Sequence, residues 1–151
     1  MRSRMIRTSG LGLCLILAGC GAAGAIGSLL RPNQVAVMLV NNSDFQVDVT
    51  LFTAQDQEVP DSLIDNVGTQ RDFMIPAGQS RSFSDSCDRL QAIKIDTARL
   101  RVLGSIFAPD ESTGILRDGT DFHCGDRIVF TFDHSEAIVD FHIDVQVQPA
   151  R

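Results

Sequence analysis

Tryptophan and tyrosine are absent from this 151-residue chain, and histidine occurs only three times. The first absence removes the aromatic platforms on which glycan sites and most interface hot spots are built. The second leaves few side chains able to take and give protons near neutral pH. No G-x-S-x-G elbow, P-loop or H-E-x-x-H is present, and no C-x-x-C or H-x-x-x-H pair supplies zinc spacing. Glutamate is scarce as well, three against sixteen aspartates. Aspartate favours turns and loops, where its short side chain bonds nearby backbone groups. Calcium loops of the EF-hand kind are excluded, because Asp118, Gly119, Thr120 and Asp121 lack the D-x-[DN]-x-[DN]-G spacing and the closing glutamate. The nine phenylalanines fall mostly on inward positions of predicted strands and read as core.

The one long apolar run stands at the start. Arg2, Arg4 and Arg7 precede an apolar core over residues 10–18, which closes on Leu17, Ala18, Gly19 and Cys20. A basic start, a short apolar core and a small-residue cleavage site describe a secretory signal peptide. The closing quartet resembles the lipobox of bacterial lipoproteins. That resemblance implies that Cys20 is acylated and becomes the mature N-terminus, with several acyl chains, since one alone anchors only marginally. It also implies a membrane-anchored protein of the bacterial cell envelope. Gly21 stands where an inner-membrane retention signal would place aspartate, which favours the outer membrane of a two-membraned cell, facing the periplasm or the surface. The competing reading is a signal anchor over residues 10–30, long enough to span a bilayer at ~20 residues. Its glycines at 12, 19, 21, 24 and 27 make it a poor helix. The expected organisation is therefore a signal peptide at 1–19, a lipidated N-terminus and flexible tether at 20–33, and a single domain at 34–151.

Removing the leader takes three arginines and no carboxylates, so the remainder carries ten basic against nineteen acidic side chains. Such a surface repels phosphate backbones and anionic lipid heads, which excludes nucleic acid as a partner and leaves the lipid, not charge, to hold the domain at the membrane. With Cys14 discarded and Cys20 acylated, Cys87 and Cys124 remain as a pair, and in an exported protein an even remainder reads as a disulfide.

The domain is patterned as strands. Residues 34–40 form a β-rich apolar run, and Asn41, Asn42, Ser43 and Asp44 form a turn cluster. Phe45, Val47, Val49 and Leu51 then alternate with Gln46, Asp48 and Thr50, which predicts a hairpin. Residues 53–71 read as a long loop with one helical turn near 62–66. A second hairpin is predicted across Pro76, Ala77 and Gly78, separate strands at 91–97 and 99–103, and a loop or loose hairpin at 106–119. Ile128, Phe130 and Phe132 and then Val139, Phe141, Ile143, Val145 and Val147 give two clear one-sided strands. Strands buried on one face and wet on the other belong to antiparallel sheets. The expected fold is all-β, an antiparallel β-sandwich, Ig-like or similar.

Two clusters invite chemistry. Strand alternation puts Asp140, His142 and Asp144 on one exposed face, and His123 stands beside Cys124 with Asp121 and Asp126 near it. Imidazoles among carboxylates are ligands for a divalent metal, so the alternative function is a metal-binding protein or metal-dependent hydrolase using His142, Asp140, Asp144 and His123. The plainer reading is a disulfide staple and a solvated strand face. The tether, the alternating strands and the Cys-Gly-Asp turn before the penultimate strand resemble uncharacterised small envelope lipoproteins. That resemblance implies a non-enzymatic binding, assembly or structural module with an envelope protein as partner and no cofactor.

Overall fold

In the computed structural model the described residues are 33–102, 105–134 and 140–150, with backbone alone at 105–109. The leader, Cys20 and residues 21–32 of the tether lie outside them. Among the described residues nine strands form two sheets. β1 (Gln34–Asn41), β4 (Ser80–Ser86), β8 (Arg127–Asp133) and β9 (His142–Gln148) make the first sheet, in the order β4-β1-β8-β9. The second runs β3-β2-β5-β6, from β2 (Gln46–Ala54), β3 (Thr69–Ile75), β5 (Ala92–Val102) and β6 (Ser105–Glu111), with the short β7 (Leu116–Arg117) also paired to β5. The protein is a β-sandwich, as the alternating pattern predicts.

Alternation decides what faces inward. Val35, Val37 and Leu39 of β1, Val47, Val49 and Leu51 of β2, Ile93, Ile95 and Leu100 of β5, and Ile128, Phe130 and Phe132 of β8 are all buried in one core. Each such side chain contributes roughly 1.5–3 kcal/mol through burial. β1 is a central strand, and its outward Ala36, Met38 and Val40 are also partly covered, which accounts for its continuous apolar run.

Both predicted hairpins are instead arches between the sheets. β1 pairs with β4 and β8, while β2 pairs with β3 and β5, so the turn at 42–45 carries the chain across the sandwich. The turn after Ile75 does the same in reverse, with Gly78 at φ 65°, a left-handed conformation that suits glycine. Two strands facing one core from opposite sheets have the same apolar alternation as a hairpin lying on one sheet. Asn41 separates the alternatives. It is fully buried, its Nδ2 donates to the carbonyls of Phe45, Ile75 and Pro76 at 2.7, 2.9 and 3.1 Å, and its Oδ1 accepts from the Ser43 amide and hydroxyl. One side chain thus ties the two arches together.

Three further expectations are corrected. The strands expected at 91–97 and 99–103 are the single β5, eleven residues long. The stretch at 106–119, expected as a loop or loose hairpin, contains β6 and β7, which each pair with β5 rather than with each other. The sheets are not wholly antiparallel, because β1 runs parallel to β8. These strands come from opposite ends of the domain, and side-chain alternation carries no sign of strand direction. The segment after β2 does hold a helical turn, α1 (Ile64–Val67), as expected. Its Ile64, with Val59, covers Phe52 and Ala92 in a smaller second cluster. Arg117 secures this flap, donating to the carbonyls of Gln57 and Val59 and pairing with Asp61. β8 and β9 pair antiparallel, as strands wet on one face are expected to do.

Candidate functional site

The exposed row on β9 is the first candidate. His142 and Asp144 do lie on one face, with His142 Nε2 3.5 Å from Asp144 Oδ2. Asp140 precedes the strand, and His142 Nδ1 lies 2.9 Å from its main-chain carbonyl. That hydrogen bond is the main cause that holds the imidazole pKa above its ordinary 6.5; desolvation opposes it, and the Asp144 and Asp133 charges add to it. A pKa raised on folding gives stability that is complete below 6.5 and fades as pH rises through the folded-state value. An NMR titration is expected to place His142 above 6.5, and Asp144→Asn is expected to move it downwards. An unmoved midpoint in the variant would remove Asp144 from the cause.

The second candidate surrounds the Cys87–Cys124 disulfide, whose Cα atoms stand 5.4 Å apart. The acidic groups here bind the protein's own backbone. Asp126, nearly buried, accepts from the His123 and Ala150 amides at 2.8 and 3.0 Å, and Asp121 accepts from the Arg117 amide at 2.8 Å. Asp88 is held below the usual carboxylate range by a hydrogen bond from Ser86. His123 is largely exposed, with Nδ1 3.9 Å from Asp126. Among the described residues no three histidine, cysteine or acidic side chains stand where one metal ion could be held. The structure brings His142 to Asp144 and His123 to Asp126, but it does not assemble the four predicted ligands into one site.

Two groupings escape sequence reasoning, because they depend on which strands are neighbours. On the outer face of the second sheet, Arg101 of β5 pairs with Asp48 of β2, and Arg99 makes a two-pronged contact with Asp110 at 2.6 and 2.7 Å. This pairing lowers the Asp110 pKa and raises that of Arg99. A shallow depression beside them is lined by Thr50, Asp72, Met74 and Thr97. Thr50 bonds Asp72 at 2.8 Å, so the polar groups lining it are largely engaged with one another.

The second grouping closes one open side of the sandwich, between edge strands β3 and β4. Arg71 pairs with Asp85 at 2.6 Å and lies over the Phe83 ring, 4.4 Å from its centroid, and Phe83 stacks on Phe73 with centroids 5.8 Å apart. In the sequence, Phe83 stands between Ser82 and Ser84, which marks a strand but not its neighbours. Arg71 Nε is buried and lacks a hydrogen-bond partner among the described residues.

No protein-family model matches the sequence, and no curated protein does. Among solved structures, the chain is similar to the type VI secretion lipoprotein TssJ1 from Pseudomonas aeruginosa, at 14% identity and TM-score 0.46, over 80% of this chain and 100% of that one. It is also similar to a protein from Eubacterium rectale, at 10% identity and TM-score 0.46, over 79% of this chain and 91% of that one. The membrane-binding domain of pneumolysin follows, at 7% identity and TM-score 0.45, over 77% of this chain and 98% of that one. At such identities and TM-scores none of these likenesses bears on what the chain does.

Proposed function

We propose that the chain is an exported, lipid-anchored β-sandwich that works in the bacterial cell envelope by non-enzymatic binding or assembly. The observation that carries this reading is the Cys87–Cys124 bridge. Structural disulfides persist in oxidising compartments, which agrees with an export signal upstream. Pairing of these two leaves Cys20 as the lipobox cysteine. The surface chemistry supports the non-enzymatic half: the carboxylates near His123 serve backbone amides, and the arginines of the second sheet are paired with aspartates. A metal-dependent role would need a third donor beside His142 and Asp144. Among the described residues no helix is long and apolar enough to cross a membrane.

The anchor is tested by metabolic labelling with an alkyne analogue of palmitate in a bacterial host, followed by membrane fractionation. The natural chain is expected to take the label and to partition with membranes, and Cys20→Ser to lose the label. Membrane retention of an unlabelled natural chain would favour the signal anchor instead.

A further inference from the structure

The edge strand β4 reads Ser80, Arg81, Ser82, Phe83, Ser84, Asp85, Ser86. Reversed about Phe83, it is the same string with arginine and aspartate exchanged. Nothing in a lone sandwich uses this symmetry, whereas antiparallel pairing of two copies does. Laid against itself about Phe83, the strand puts Ser82 opposite Ser84 and Phe83 opposite Phe83. Arg81 falls opposite Asp85 twice. From this charge complementarity we propose that β4 is an interface for a second copy of the same chain, joining two first sheets into one continuous sheet about a two-fold axis. The inference goes beyond the proposed function and does not depend on lipid attachment.

The backbone geometry fits that register. Asn41 donates to the Gln79 carbonyl and Cys87 to the Asn33 carbonyl, so the odd-numbered residues between them direct their backbone groups to β1. The groups of Ser82 and Ser84 therefore point off the edge, where they exchange hydrogen bonds with Ser84 and Ser82 of the copy. Arg81, Phe83 and Asp85 then form the non-hydrogen-bonded pairs, in which side chains approach most closely. Phe83 and its stacked Phe73 meet their equivalents in the copy as an apolar centre, and each Asp85 lies between its own Arg71 and the copy's Arg81. Ser86 does not take part, since its carbonyl already accepts from the Arg89 and Leu90 amides.

Edge strands usually carry devices against such pairing, among them lysine, proline or a bulge. β4 has no lysine or proline and its register with β1 runs without a shift; the edge charges it does carry, Arg81 and Asp85, are opposite in sign and match across the two-fold axis. The far edge of the other sheet, β6, has Pro109 and an irregular register with β5. Isologous pairing of one patch with itself is also the commonest geometry of homodimers.

The test is native mass spectrometry of the full chain in detergent across a concentration series. Dimers are expected for the natural protein. Ser82→Pro removes an outward amide without touching the ladder to β1, and Arg81→Asp sets like charges opposite each other twice. Each is expected to raise the dissociation constant about tenfold or more. Arg81→Lys, which keeps a positive charge opposite Asp85 and leaves the Arg71–Asp85 pair intact, is expected to hold the dimer to within about threefold. Residues 81 and 82 are exposed, so these single variants are expected to keep the circular dichroism of the natural protein. A natural protein that stays monomeric at every concentration overturns the proposal. So does a dimer unmoved by either Ser82→Pro or Arg81→Asp, and a folded Arg81→Lys as weak as Arg81→Asp overturns the register.

Discussion

Asn41→Ala is expected to cost about 3–5 kcal/mol of stability, seen as a lower urea midpoint at unchanged slope. The estimate follows from what loses its partner. The Ile75 carbonyl loses the Asn41 donor, the Ser43 amide loses its acceptor, and both lie in the buried arch. Each buried polar group left unpaired costs about 1–3 kcal/mol, to which the cavity of the removed amide adds. Asn41→Asp separates this from a loss of packing. It keeps the shape but turns an oxygen towards the carbonyls of Phe45, Ile75 and Pro76, so it is expected to be at least as damaging as alanine. Asn42→Ala, at an exposed neighbour, is expected to fall within about 0.5 kcal/mol of the natural protein. Equal effects at 41 and 42 would show that the arches do not rest on this side chain.

The double variant Cys87→Ser, Cys124→Ser is expected to lose about 4 kcal/mol, because the bridge closes a loop with sequence separation 37 and limits the unfolded chain accordingly. For a domain of this size that is a fall in melting temperature of about 15 °C, which calorimetry reads directly. The bridge joins the chain leaving edge strand β4 to the turn that enters β8, with β1 lying between those strands. Its loss is therefore expected to loosen the β4 edge first, with faster amide exchange there than in β5. Reduction of the natural protein by a thiol should give the same melting temperature as the double variant. A drop of less than about 1 kcal/mol would show that the unfolded chain is already compact and that the bridge adds little.

The parts of this fold legible from sequence are those that repeat with period two. β8 and β9 were plain because Ile128, Phe130 and Phe132, then Ile143 and Val147, alternate with polar residues beside one short turn. The buried faces of β1 and β2 were equally plain, and Cys87 with Cys124 followed from counting. Pairing was not legible. The residues around 41–45 and 76–79 have good turn chemistry, yet the same chemistry serves an arch, and only the long-range bonds of Asn41 to Ile75 and Pro76 tell them apart. β5 reads as two strands because its alternation slips at Asp96 and Thr97, where the register with β2 shifts, and a slip in period looks like a break in the strand.

Candidate sites follow the same division. That His142 and Asp144 share a face is a local fact, fixed by strand geometry two residues apart. That Arg71 reaches Asp85 and Phe83, or Arg101 reaches Asp48, depends on neighbours 12 to 53 residues away in the chain, which no local pattern encodes. The sequence by itself determined the β class, the inward face of each clear strand, the acidic charge and the cysteine pair, because each is set by composition or by side-chain alternation along one segment. The tertiary structure decided which sheet each strand joins, the parallel course of β1 beside β8, and the exposure of a self-complementary edge at β4. These depend on backbone hydrogen bonds between distant segments, and such bonds use the same amide groups at every residue.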